Sequence, residues 1–276
     1  MGFLYFFDRH IKPIMLRGTQ MLHPAPTGRL EQGISCIRQG DVNLWFYTKN
    51  ETTIAVDAGH LNEPDAKMAF RSIGIDPLKI RHLLLTHADV DHCGGIDVRS
   101  KQNLYPNAQV YLGEKEQPYL DRTLQRMIRL HKKIYNCVRL RSGYRLLKDE
   151  EMLDLDGISV RCILVPGHTA GHMCYLVDHR ILFSGDCLAV NQNGGYAFWD
   201  FFCQFPERNK QSLLHLKDVM QKESITAVCT GHSGFVTDIP KLFAHIDTSA
   251  SFKGKIPFDE TAPRDVCRRS FKNRMR

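Results

Sequence analysis

The chain has 276 residues, 43% of them hydrophobic and 24% charged, which is enough for a sizeable core and excludes a disordered, collagen-like or coiled-coil protein. Thirty-seven Lys and Arg against thirty Asp and Glu give a net charge of +7, which suits an anionic partner but points only weakly to nucleic acid. Apolar runs such as residues 3–7 and 83–85 fall far short of the roughly 20 residues of a membrane span, so no membrane association is expected.

Asp8 interrupts the first apolar run and no positive start precedes it, so no secretory signal is read there. A myristoylation reading of Gly2 fails because the position needing Ser or Thr is Phe6. The nine cysteines form no C-x-x-C pair, and most sit in apolar strand-like runs (Cys36, Cys162, Cys174, Cys229). They read as small buried hydrophobes in a reducing compartment, and the expected location is the cytoplasm.

In chain order, strand-like runs are predicted at 43–47 and 52–56, with Lys49-Asn50-Glu51 as the turn between them. The second run stops at Asp57-Ala58-Gly59. Pro64 then opens a helix with Ala66, Ala69, Phe70 and Ile73 at helical spacing, and Gly74 ends it. An apolar strand at 80–85 runs into Thr86-His87-Ala88-Asp89-Val90-Asp91-His92, and Gly94-Gly95 starts the next element. A strand at 108–112 precedes a predicted long basic helix, from 114 to about 135, with Arg122, Arg126, Arg129, Lys132 and Lys133.

A further strand at 158–164 ends at Pro166-Gly167-His168. Strands at 173–177 and 181–184 follow, the latter ending at Gly185-Asp186. Residues 191–195 read as a turn-rich loop leading into Tyr196, Phe198, Trp199, Phe201 and Phe202. A helix at 208–221 turns Leu213, Leu216 and Met220 inward, and a strand at 226–229 ends at Gly231-His232. The basic segment 264–276 has few core residues. Strands and helices in this succession argue for an α/β architecture with helix-covered sheets, and the absence of a linker argues for one domain over 1–276.

Four strand ends therefore deliver metal-ligand residue types: His87, Asp89, Asp91 and His92 at the first, then His168, Asp186 and His232. Imidazole and carboxylate are ligands of Zn, Fe and Mn, and loops at strand ends of one rigid scaffold can converge on a single cleft. Singly, His168 and His232 would be ordinary histidines. Together, at glycine-flanked strand ends, they are candidate ligands.

These motifs resemble those of the metallo-β-lactamase superfamily. An acid ends an early strand (Asp57), followed by Thr86–His92 in the H-x-H-x-D-H position, Pro166–His172, Ser184–Asp186 and Thr230–His232, in family order and within about 34–245. The resemblance implies an αββα sandwich with a two-metal site between its sheets. Carried over, His87, Asp89 and His168 would hold the first metal, and Asp91, His92 and His232 the second. Asp186 would bridge both, Asp57 would be a structural acid, and His172 would support the site without ligating.

One position departs from the pattern, because Asp89 stands where the family has its second histidine. An acid there resembles the flavodiiron branch. Two divalent metals, three carboxylates and one hydroxide sum to zero, where the histidine version sums to +1. Oxygen-rich ligation favours Fe and Mn over Zn, so the two metal ions are expected to be Zn, Fe or Mn.

A two-metal cleft activates water and polarises a carbonyl or phosphoryl oxygen, so hydrolysis is the default. The 44 residues after His232 are read as too few for a flavin domain or for a glyoxalase II-type helical domain. What remains resembles the single-domain lactonase-like hydrolases, and a lactone or other carboxylic ester is the expected substrate. A metal-dependent phosphodiesterase, or a non-hydrolytic di-iron protein that binds oxygen, is the alternative. Asp91, and Tyr196 in place of a family tyrosine that is Ala189 here, are the catalytic candidates beside the metals. Arg122, Arg126 and Arg129 are candidates to hold an anionic group of a small-molecule substrate. Nucleic acid is not an expected partner, and a homodimer is compatible with the sequence.

Overall fold

The computed structural model describes residues 6–63, 66–129, 132–134, 138–141 and 143–251. Two large sheets face each other. The first runs Gly28–Arg29, Ile34–Gln39, Val42–Lys49, Thr52–Val56, His82–Leu85, Gln109–Gly113, Tyr144–Leu147, and the second Met152–Leu155, Ile158–Leu164, Met173–Val177, Ile181–Gly185, Ala227–Thr230, Phe235–Val236. Pairing in the first sheet is antiparallel up to Thr52–Val56 and parallel beyond it. In the second sheet only Ile181–Gly185 and Ala227–Thr230 are parallel.

The two-residue period of the strands separates the layers. Along Val42–Lys49, Trp45 and Tyr47 enter the core between the sheets, against Val160, Tyr175 and Phe183 of the second sheet. Val42, Leu44 and Phe46 face the other way, onto the helix Ala66–Ile73 through Phe70 and Ile73. The second sheet does the same. Its outer residues Ile163, Leu176 and Val228 pack on the helix Pro206–Met220 through Leu213, Leu216 and Val219. Helix, sheet, sheet, helix is the predicted αββα order. The run at 80–85 is apolar throughout because Leu84 points to the inner core while Leu83 and Leu85 point to the helix side.

Two of the element predictions need correction. The long basic helix does not form. The chain makes two short helical turns, Glu114–Glu116 and Gln117–Leu120, and then a hairpin of Met127–Ile128 with Lys132–Lys133. The cause is local. Asp121 caps a turn through bonds from the Thr123 amide (2.9 Å) and hydroxyl (2.7 Å), and Arg122 takes the left-handed conformation (φ 66°). Residues 191–195 turn within a hairpin of Leu188–Asn191 and Gly194–Ala197, whose second strand pairs with His245–Ser249. The strands Ile34–Gln39, Tyr144–Leu147 and Met152–Leu155 were not predicted. Pro64 and the segment 264–276 lie outside the described residues.

No helix of the described residues is long and apolar enough to cross a membrane. The described cysteines are all buried free thiols.

Candidate metal centre

The four motif loops meet at one edge of the sandwich. His87 follows the strand His82–Leu85, His168 lies after Ile158–Leu164, Asp186 directly follows Ile181–Gly185, and His232 follows Ala227–Thr230. Asp89 precedes the short helix Val90–Cys93, which holds Asp91 and His92. All seven side chains are buried.

His87, Asp89 and His168 form one group whose ligand atoms lie within 4.8 Å of each other, and Asp91, His92 and His232 form a second. Asp186 lies between them. Its Oδ1 is 3.4 Å from His92 Nε2, and its Oδ2 is 3.0 Å from His232 Nε2 and 3.8 Å from His168 Nε2. Gly231 is required for this arrangement, since a Cβ there would stand 2.1 Å from Asp186 Oδ1.

The imidazoles are oriented from behind. Asp57 Oδ2 is 2.7 Å from His92 Nδ1, the Asp41 carbonyl is 2.7 Å from His232 Nδ1, and Thr86 Oγ1 is 3.0 Å from His87 Nδ1. Each leaves an Nε2 turned inward. Asp57 is itself held by the Thr86 amide (2.8 Å) in a left-handed conformation (φ 64°), which costs a non-glycine residue energy and marks a position fixed by its surroundings. His172 accepts from the Asp186 amide (3.0 Å) and so positions that loop from outside the two groups.

Whether these residues fit a metal can be judged from their unpaired atoms. His87 Nε2, His92 Nε2 and Asp186 Oδ1 are buried with no hydrogen-bond partner, and together they form a third close group. A buried polar atom without a partner costs about 1–3 kcal/mol. Three such atoms converging, among four carboxylates including Asp57, fit a bound cation. The charges agree. Burial opposes a charge on either imidazole, yet Asp186 and Asp57 raise His92 well above its ordinary value, and Asp186 raises His232. Burial lowers His87 strongly, and burial followed by the neighbouring Arg126 guanidinium brings His168 down to about 4.

Two cations sit on the carboxylates. Arg126, 1% exposed, places Nε 3.2 Å from both oxygens of Asp89. Lys12 Nζ lies 2.9 Å from Asp41 and 3.2 Å from Asp91. Against the cost of burial, Arg126 holds Asp89 and Lys12 holds Asp91 well below the ordinary carboxylate range.

A cleft of about 360 Å³ opens over the centre. Asp89, Asp91, His168, Asp186 and His232 are at its base. The aromatic run forms its wall, with the Phe198 ring 5.2 Å from that of His168 and Phe201 and Phe202 beside it. Leu16 and Met21 close the other side, from an N-terminal segment tied to the His232 loop by Ser233 Oγ donating to the Met21 carbonyl (2.8 Å). Lys132 and Lys133 of the hairpin line the cleft and are exposed.

The predicted substrate contacts are rearranged accordingly. Arg126 reaches the cleft, but its guanidinium is spent on Asp89. Arg122 and Arg129 are exposed and do not line the cleft, because the helix that would have aligned the three arginines is absent. Tyr196 is buried beside Phe198 with its ring stacked on His245 (4.7 Å), and it does not line the cleft. Sequence reasoning missed Lys12, Asp41 and Glu116. Glu116 is buried beneath the first loop, where it accepts from the amides of Ala88 (2.8 Å) and Gly171 (2.9 Å). None of the three belongs to a motif, so no sequence signal marked them.

Comparison with known proteins bears on the family and the fold. A probable polyketide biosynthesis zinc-dependent hydrolase of Bacillus subtilis (strain 168) is 33% identical over 108 residues, 39% of each chain. A hydroxyacylglutathione hydrolase of Aeromonas salmonicida (strain A449) is 30% identical over 148 residues, 54% of this chain and 47% of the relative. The chain thus spans less than half the length of either relative. The crystal structure of a metallo-beta-lactamase family protein from Thermus thermophilus superposes with a TM-score of 0.57 at 21% identity, covering 78% of both chains, which is a likeness of fold. The model of the metallo-beta-lactamase superfamily matches residues 37–232, and this chain belongs to that superfamily.

Proposed function

We propose that the protein is a metal-dependent hydrolase of a lactone or other ester-type acyl bond. The observation that supports this best is the convergence of His87 Nε2, His92 Nε2 and Asp186 Oδ1, buried and without hydrogen bonds, with Asp186 at the base of an open, largely apolar cleft. His87, Asp89 and His168 would hold one metal ion, Asp91, His92 and His232 a second, and Asp186 would be shared. Metal ions in such a site activate water and polarise a scissile carbonyl. The names of the two relatives, both hydrolases and one acting on an acyl derivative, favour an acyl bond over a phosphodiester.

The chain's own residues bind and orient. Phe198, Phe201, Phe202, Leu16 and Met21 offer an apolar wall for the acyl portion and exclude water from it. Asp57, Asp41 and Thr86 fix the imidazole rings so that their Nε2 atoms stay aimed at the other ligand groups of the centre. With Arg126 engaged, Lys132 and Lys133 take over the role of holding a substrate anion at the mouth.

The test is metal content and hydrolysis measured together, on a panel of lactones, thioesters and phosphodiesters, before and after chelation. Hydrolysis of an acyl substrate that chelator abolishes and Zn or Mn restores is expected. Asp186→Ala should lower metal content at both positions and abolish hydrolysis. Full activity in chelator, or full metal content in Asp186→Ala, would refute the reading.

A further inference from the structure

The contacts of Arg126 make the two metal positions unequal. Its guanidinium is anchored independently of the centre, with Nη1 donating to the Met127 carbonyl (2.7 Å) and Nη2 to the Phe202 carbonyl (2.6 Å). From that fixed place Nε lies 3.2 Å from both Asp89 oxygens, and Nη2 lies 3.2 Å from Asp89 Oδ2 and 3.1 Å from His168 Nε2. Two of the three groups at the first position therefore already have a cationic partner, and the His168 lone pair that would face a metal accepts from an arginine. A guanidinium has no acceptor and stays protonated, so it cannot step aside by losing charge.

At the second position the cation is Lys12, which lies on one oxygen of Asp91 and is shared with Asp41. His92 Nε2 makes no hydrogen bond and faces Asp186 Oδ1 at 3.4 Å, and His232 Nε2 faces carboxylates of the centre, Asp91 at 3.7 Å and Asp186 at 3.0 Å. Among the described residues, no lysine or arginine donates to either imidazole at the second position, whereas Arg126 contacts His168 at the first.

We infer that Arg126 competes with the metal at the first position, so that the centre loads in two separated steps, the second position tightly and the first weakly. The inference rests on the two-position reading above, but its measure is occupancy and not hydrolysis. Arg126 is thus a positioning residue that sets first-position affinity, by holding Asp89 and His168 away from an incoming cation. A charge-assisted hydrogen bond that must be given up weakens binding on the order of tenfold or more.

The experiment titrates the chelator-stripped full chain with Zn²⁺ or Co²⁺ against a chromophoric chelator, with bound metal counted by elemental analysis. The wild-type protein should show two steps separated by about tenfold or more, and Co²⁺ absorption should develop in the same two steps. Arg126→Met should narrow the gap by tightening the weaker step, and Arg126→Lys, which cannot fork onto both groups, should lie between. Circular dichroism identifies a variant that fails to fold, in which case the wild-type titration decides alone. Two wild-type sites of equal affinity would overturn the inference, and so would a folded Arg126→Met that loses the weaker metal, because Arg126 would then be supporting the position. Loss of hydrolysis with stepwise loading intact would instead strike the proposed function.

Discussion

Replacing Asp89 by His gives the chain the ligand its superfamily pattern has at that position, and on sequence grounds alone it should be a benign change. The structure predicts the opposite for the protein without metal. Asp89 is the counter-ion of a guanidinium that is 1% exposed, and the substitution withdraws two carboxylate oxygens and offers one imidazole nitrogen in return. Breaking a buried pair while its partner stays charged costs about 3–5 kcal/mol. In a chain of this size each kcal/mol lowers the midpoint by about 2–4 °C, so the loss in Tm should be about 6–20 °C. Arg126 keeps its bonds to the Met127 and Phe202 carbonyls, which places the expected effect toward the lower end.

The compensating change is Arg126→Met. The double variant removes both charges, and it should be more stable than the sum of the single losses by about 0.5–3 kcal/mol, the range for directly coupled residues. The assay is thermal and urea unfolding of the chelator-stripped wild type, the two single variants and the double. A strictly additive double variant, or Asp89→His with an unchanged midpoint, would refute the pairing of Asp89 with Arg126.

Other expectations follow from neighbouring residues. Burial raises Glu116 from 4.5 to about 7. A raised folded pKa makes its contribution to stability fully present below about pH 4.5 and lost as pH rises to about 7, on the order of 3 kcal/mol, so Glu116→Gln should flatten unfolding free energy across that window. An unchanged slope would show that Glu116 does not titrate there. Lys12→Met should lower the Tm of metal-free protein through loss of the cation shared by Asp41 and Asp91, yet enlarge the rise in Tm that Zn²⁺ produces, and a smaller rise would contradict a Lys12 that shares Asp91 with the metal. Lys132→Ala with Lys133→Ala should raise KM for a carboxylate-bearing ester about tenfold and leave its neutral analogue nearly unchanged, and equal effects on both would return these lysines to the solvated surface.

The order of chemistry along this chain was legible without a structure. Metal-ligand residues fall in short windows at strand ends, and those windows are visible in sequence because one tight loop presents several groups at once. Thr86–His92 and Pro166–His172 are of this kind, and the succession of strands and helices gave an α/β architecture with helix-covered sheets, while the αββα order came from the resemblance those motifs carry. The cations that sit on the carboxylates were not legible, because each lies far in sequence from its partner and belongs to no motif. Arg126 and Asp89 are 37 residues apart, and Lys12 and Asp91 are 79 apart. In sequence Arg126 is one of three arginines offered as substrate contacts, and only folding places its guanidinium on Asp89. The helix expected there failed because helical spacing is a weak local preference, and the Asp121 turn and the pairing of Met127–Ile128 with Lys132–Lys133 prevail over it. Residue type and order are properties of the chain, but which lone pair faces which cation depends on how separate loops pack, and only the tertiary structure decides that.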